Sequence, residues 1–335
     1  MAVLAKISYQ LRITRVVLRL IQIYLGIIFA LEKIWPRSLG IKLFRAGSNL
    51  LDFAAWPITK RAITQLEVST KSAIVGGIGS TWFLPNEVKD SGKVVLYLHG
   101  GGFMICSVKT HGSFLAKLAD HLSCTVIALD YSLSPEKKYP IALEEIAAAY
   151  QDLLTMGYSA RNIIVGGESA GACLALAMLM QLRDNGMDMP CAAFLDSPLI
   201  DLGCSGLGMK SLWRHECVLP IYGPHTNQLY AHTFKSYTGD VGPETPYVSP
   251  LFGKFHGLPP LHVSYSEHEL LRDDSTRLIA AARLQGADIT DFCGDWTPHA
   301  TLAFHSYFPE GKDLFYAVTK FINRHLELVE SPRSH

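Results

Sequence analysis

Short aliphatic and β-branched runs recur along the chain at residues 94–98, 125–129, 163–165, 192–195, 261–265 and 289–292. Their length and composition predict strands. Between and after them, apolar residues return at helical spacing over 112–122, 140–156, 170–182, 275–284 and 312–326. Strands alternating with helices predict an α/β protein, a mostly parallel sheet with helices on both faces. There is no internal repeat or low-complexity tract, and the tail after Glu330 reads as disordered.

Two stretches break the alternation. Residues 202–255 are rich in Gly, Pro, His and aromatics, among them Trp213, Tyr222, Tyr230, Phe234 and Tyr237. That is too long for a simple connection and predicts a lid or binding element, about half of whose aromatics line a pocket. The other stretch is the amino terminus. Up to Arg45 the chain carries Lys6, Arg12, Arg15, Arg19, Lys33, Arg37, Lys42 and Arg45 against Glu32 alone, with an apolar stretch from Val16 to Leu31. On a helix, Arg12, Arg15, Arg19, Gln22 and Gly26 fall within about 80° of one another and the remaining surface is apolar. This fits peripheral association of residues 1–45 with a membrane, arginines toward lipid phosphates. It also fits an anchor, although the uninterrupted apolar run 23–31 is shorter than the ~20 residues that span a bilayer. No small-x-small cleavage site follows it, which argues against a signal peptide.

Composition narrows the function. At 335 residues, 49% of them hydrophobic, the chain can bury a large core as one catalytic domain with inserted elements. The formal net charge is zero, so no basic surplus points to nucleic acid. Seven cysteines without framework spacing, and no Asn-x-Ser/Thr acceptor, predict a reducing, cytoplasmic setting. No H-E-x-x-H, C-x-x-C or clustered His/Cys spacing calls for a metal. Neither Gly76-Gly77-Ile78-Gly79 nor the glycines around residue 166 match a phosphate or dinucleotide loop, so no cofactor is expected.

The chemistry lies in two glycine-rich segments. His99-Gly100-Gly101-Gly102-Phe103 follows the strand at 94–98, and Gly167-Glu168-Ser169-Ala170-Gly171 joins the strand at 163–165 to the helix at 170–182. A serine on a sharp strand-to-helix turn projects its hydroxyl outward, with Gly167 and Gly171 giving room for the packing. Three residues without side chains let backbone N–H groups approach a substrate oxygen, so Gly101, Gly102 and the N–H of Ala170 form a candidate oxyanion hole. His99, Gly100 and Glu168 are read as support for these loops.

With Asp130-Tyr131-Ser132-Leu133-Ser134-Pro135-Glu136 between the two segments, the chain resembles the hormone-sensitive-lipase-like α/β-hydrolases over roughly residues 94–326. The resemblance implies that an acid and then a histidine follow the serine. Glu269, after the strand at 261–265, stands at the family's acid position, with Glu267 and Asp273 as competitors. His299, after Thr297-Pro298, stands at the base position, with His305 the remaining competitor and His325 inside a helical pattern. His111, His215 and His268 are read as structural, as are Cys106 and Cys173. The resemblance also implies that the amino-terminal residues form a cap over the site. The expected organisation is therefore an amino-terminal cap or membrane-associating segment at 1–60, a catalytic domain at 61–328 with the insertion at 202–255, and a flexible tail at 329–335.

The expected activity is carboxylic ester hydrolysis of a small acyl ester through a serine acyl-enzyme. Alternatives on the same fold are a membrane-tethered deacetylase resembling the arylacetamide deacetylases, which would cleave amides, and a ligand-binding receptor without turnover. An unperturbed imidazole base would make activity fall below about pH 6.5.

Overall fold

The structure is a computed structural model that describes residues 7–31, 53, 56–87, 92–221, 223 and 225–327. The tail at 329–335, Tyr222, and the cations Lys6, Lys33, Arg37, Lys42 and Arg45 lie outside those residues.

Eight strands form one sheet in the order β1-β2-β4-β3-β5-β6-β7-β8. They are β1 (Val68–Val75), β2 (Ile78–Pro85), β3 (Val94–Leu98), β4 (Thr125–Asp130), β5 (Ile163–Glu168), β6 (Ala192–Asp196), β7 (Leu261–Ser266) and β8 (Ile289–Gly294). From β4 to β8 every pairing is parallel, whereas β1–β2 and β2–β4 are antiparallel. The six parallel strands are those read from the sequence. The pair β1–β2 was not expected: β1 is an exposed edge strand with four successive polar residues, Ser69 to Ser72, in its middle. Gly76 and Gly77, with φ of 58° and 84°, close this hairpin.

Successive side chains of a strand face opposite sides of the sheet. Val94, Leu96 and Leu98 of β3 enter one apolar cluster, and Val95 and Tyr97 enter the other. The first cluster is covered by α3 (Ile141–Thr155), α4 (Ala170–Asp184) and α6 (Arg272–Leu284), and the second by α2 (Val108–Leu122) and α7 (Pro309–Leu326). Because β3 is buried along its whole length, the loops at the carboxyl ends of the central strands rest on a platform that cannot shift without opening a cavity.

Two further elements lie beyond the sheet. Helix α1 (Tyr9–Leu31) packs near the carboxyl-terminal part of the chain, where Ile7, Leu11 and Phe308 form a small cluster. Helix α5 (Thr226–Thr238) lies within the insertion. None of the described helices is long and apolar enough to cross a membrane.

The orientation of α1 differs from the reading that turns its arginines toward lipid. Arg15 donates to the carbonyls of His215 (2.6 Å) and Trp296 (2.8 Å), Arg19 to that of Glu216, and Gln22 to that of Leu219 (2.6 Å). Arg12 is exposed. The polar stripe therefore faces the protein, while Ile13, Val16, Val17, Leu20 and Ile23 are exposed. Unpaired loop carbonyls at the foot of the helix need donors, and arginine, with five N–H groups on a long stem, can supply them.

Candidate active site

Ser169 sits between β5 and α4 with φ 53° and ψ −116°, a conformation costly for a residue with a side chain. Its N–H donates to Asp196 O (2.9 Å), and its carbonyl accepts from Leu199 N–H (3.2 Å), so β6 holds the strained turn. Glycines are required on both sides by close approach. A Cβ on Gly167 would strike the backbone of Gly171, and one on Gly171 would strike the carbonyls of Leu98 and His99. The serine turn and the glycine loop after β3 are thus packed directly on each other.

The glycine loop is buttressed from the Asp130–Glu136 segment. The Tyr131 hydroxyl donates to His99 O (2.7 Å), and Ser134 N–H donates to Phe103 O (2.8 Å). His99 is buried, stacks on Tyr131 with centroids 4.4 Å apart, and contacts Gly100 O through Nδ1 at 2.7 Å. Burial, with His111 nearby, pushes its pKa down to about 4, so the ring is neutral and Nδ1–H donates. Gly101 and Gly102 adopt φ of 114° and 60°, and a side chain on Gly101 would also meet Ile105 O. Both line the cavity described below, and Ala170 begins α4 beside them.

Glu269 and His299 meet. The His299 Nδ1–H donates to Glu269 Oε2 at 2.6 Å, and Glu269 Oε1 accepts from Ser266 N–H at 2.9 Å. Both side chains are buried. Burial opposes charge on His299, but the hydrogen bond and charge of Glu269, then the charges of Glu216 and Glu168, outweigh it and push the pKa up to about 9. Its Nε2 is buried and unbonded. The histidine loop is fixed to β6: Ala300 N–H donates to Ser197 Oγ (3.1 Å) and Leu302 N–H to Asp196 Oδ2 (3.1 Å).

The competing residues lie elsewhere. Glu267 is half exposed near Arg272 (3.6 Å), and Asp273 binds Arg272 at 2.8 Å and Gly208 N–H at 2.8 Å. His305 stacks on Phe315, and His325 packs near Phe321. His215 and His268 pack around Trp296.

His111, read from the sequence as structural, is paired with Glu168 at the cavity. Its Nε2 lies 2.7 Å from Glu168 Oε2, both side chains are buried, and both line the cavity. Glu168 Oε1 in turn stands 3.9 Å from His299 Nε2. Burial tends to raise the carboxyl's pKa, yet His111 and the other imidazoles hold it below the usual value. Gly100 has no side chain because a Cβ there would collide with this carboxylate. Nothing in the local sequence around His111 signalled the pair, since 57 residues separate the partners.

A cavity of about 310 Å³ opens over Ser169 and His299. Leu18 and Ile21 of α1, Val218, Leu219, Tyr230 and Phe234 of the insertion, and Cys106 contribute to its wall. Of the five aromatics expected to divide between packing and pocket, Tyr230 and Phe234 line it, Trp213 and Tyr237 pack into the core, and Tyr222 lies outside the described residues.

A family described as having the alpha/beta hydrolase fold matches residues 95–303. An esterase from Acinetobacter venetianus is 34% identical over 233 residues, 68% of this chain and 74% of that protein. An acetyl-hydrolase from Streptomyces hygroscopicus is 34% identical over 240 residues, 71% of this chain and 77% of that protein. The crystal structure of EstE5 soaked with p-nitrophenyl butyrate superposes with a TM-score of 0.81 at 28% identity, covering 96% of this chain and 99% of the other. An esterase of the bacterial hormone-sensitive lipase family gives 0.73 at 32% identity, covering 79% and 89%. The chain belongs to the hormone-sensitive-lipase-like α/β-hydrolases.

Proposed function

We propose that this chain is a carboxylic ester hydrolase that works through an acyl-enzyme on Ser169. The observation that carries the reading is the His299–Glu269 pair, buried beside a strained serine in one apolar cavity. Neutral His299 takes the Ser169 proton on Nε2 as the hydroxyl oxygen attacks the acyl carbon. The negative oxygen that develops is met by the N–H groups of Gly101, Gly102 and Ala170. His299 then returns the proton to the departing alcohol. Water, deprotonated by the same ring, releases the acid and restores Ser169. Glu269 keeps Nδ1 protonated, so that Nε2 faces the reaction, and offsets the positive charge that the ring acquires. The apolar wall suits an uncharged acyl chain. No step needs a metal or cofactor. In this reading α1 and residues 202–255 together form the cap, over a catalytic domain at 61–328.

The test is hydrolysis of p-nitrophenyl butyrate by wild type and Ser169→Ala, with a fluorophosphonate probe on both. The expected result is labelling of wild type at Ser169 and a loss of kcat on the order of 10⁶-fold in the variant. Turnover retained by the variant would exclude the mechanism.

We further infer that the outward apolar face of α1 rests on an anionic lipid surface. Burying Val16, Val17 and Leu20 in lipid suits their exposure, and the basic surplus of residues 1–45 suits the charge. In this reading the arginines of the stripe hold the cap and the apolar residues touch the membrane. Sedimentation with phosphatidylcholine vesicles with and without phosphatidylserine checks it. Wild type should bind the anionic vesicles. Val16→Glu combined with Leu20→Glu should abolish binding without changing hydrolysis of a soluble ester.

A further inference from the structure

Glu216 lies in the insertion, far in sequence from every motif, and is buried. Its carboxylate is fully occupied by backbone. Oε1 accepts from three successive amides, Cys217 (2.8 Å), Val218 (2.7 Å) and Leu219 (3.1 Å), and Oε2 accepts from Leu270 N–H at 3.2 Å. Leu270 directly follows Glu269, while Val218 and Leu219 belong to the cavity wall. On its other side, the Glu216 carbonyl accepts from Arg19 and from Gln22 (3.3 Å) of α1, the helix that brings Leu18 and Ile21 to the same cavity.

A buried carboxylate is costly unless its charge is satisfied. Among the described residues no cationic side chain pairs with this one; four amide donors serve instead, in the stronger, charge-assisted form of hydrogen bond. Burying a charge that only backbone amides answer is an unusual way to close a surface loop, and here it joins that loop to the neighbour of the proposed acid.

We propose that Glu216 is a positioning residue for hydrolysis, tying the loop that carries Glu269 to the wall of the acyl cavity and, through its carbonyl, to α1. The inference rests on the triad reading above. Glutamine cannot replace it. One amide oxygen can serve residues 217–219, but the NH2 then meets the Leu270 N–H, donor against donor. Aspartate keeps the charge but is one methylene too short to span both loops.

The charge has its own effect. The carboxylates that face His299 are Glu269, Glu168 and Glu216, and each favours the charged ring. The neighbouring Cys217 thiol feels Glu216 and Glu269 on one side and Arg15 and Arg19 of α1 on the other, and is pushed up to about 12 chiefly by burial and then by Glu216. Removing the Glu216 charge therefore lowers the His299 pKa, and the acid limb of kcat/KM moves to lower pH.

Wild type, Glu216→Gln and Glu216→Asp are compared on p-nitrophenyl butyrate across pH, with active sites counted by fluorophosphonate titration so that unfolded protein drops out. Glu216→Gln should lower kcat per titrated site by roughly 10–100-fold, as loss of an orienting partner does elsewhere, and shift the acid limb downward. Glu216→Asp should return the acid limb to its wild-type position while kcat stays depressed. A purely structural role would reduce only the titratable fraction, so wild-type kcat and an unmoved limb in Glu216→Gln would overturn the proposal. Should Glu216→Gln give no folded protein, Glu216→Asp decides alone: depressed kcat supports the proposal and wild-type kcat overturns it. Failure of the wild type itself to be labelled at Ser169 would mark the triad reading as the part at fault.

Discussion

His299 shows how far a neighbour can move a side chain from its ordinary chemistry. Free imidazole predicts activity falling below about pH 6.5, whereas the hydrogen bond to Glu269 and the charges of Glu269, Glu216 and Glu168 push this ring up to about 9. In the proposed mechanism this ring is the base and must be neutral to act, so kcat/KM should rise with pH and level off only above that value. Glu269→Gln removes the strongest of these influences, and its acid limb should lie at lower pH than wild type. The same variant presents an amide to Nδ1 and permits the wrong tautomer, so kcat should fall by roughly 10³–10⁴-fold. A pH series of initial rates on a soluble ester measures both effects. Gly100 marks a similar dependence at the scale of one Cβ, because the Glu168 carboxylate occupies the space that any side chain there would need.

Helix α1 belongs to the protein through its polar side. Arg15 and Arg19 bind carbonyls of the insertion and of the loop before His299, and these contacts hold Leu18 and Ile21 against the cavity. Replacing both arginines by glutamine shortens the reach and removes the charge. The expected outcome is a several-fold rise in KM for p-nitrophenyl hexanoate with little change in kcat for p-nitrophenyl acetate, since a short acyl group leaves the outer wall unused. Steady-state kinetics on the two esters reads the difference. The hairpin β1–β2 escaped the pattern of apolar runs because an exposed edge strand is not required to be apolar.

At the scale of the molecule, the sheet brings its carboxyl-terminal strand ends into one line: the glycine loop after β3, Ser169 after β5, Glu269 after β7 and His299 after β8. Adjacent strands lie ~4.8 Å apart, so loops from four strands can converge on one substrate. Stability carries a separate pH signature from the core. His262 of β7 is buried against Phe321, and burial pushes its pKa down to about 4. A ring kept neutral by the fold contributes stability that is complete above pH 6.5 and is lost as pH falls through 6.5 toward 4. His262→Phe removes that dependence. Between pH 6.5 and 4 its Tm should fall less than that of wild type, a difference on the order of 2 kcal/mol in stability. Asp196 and Asp274, both pushed up to about 7 by burial, act with the opposite sign but are common to both proteins and cancel in the comparison.

The two glycine segments and the six parallel strands were legible in the chain because each depends on local demands: a tight turn needs glycine, and a buried strand needs apolar residues. The order serine, acid, histidine came only as what the family resemblance implied. Tertiary structure alone decided which side of α1 meets the protein, since an amphipathic pattern reports where the polar stripe lies but not what stands opposite it. The same holds for His111 on Glu168 and for Glu216 on Leu270. Those contacts join residues 57 and 54 positions apart, and a buried carboxylate takes whatever donors the folded backbone happens to bring within reach, for which no spacing in the sequence is a sign.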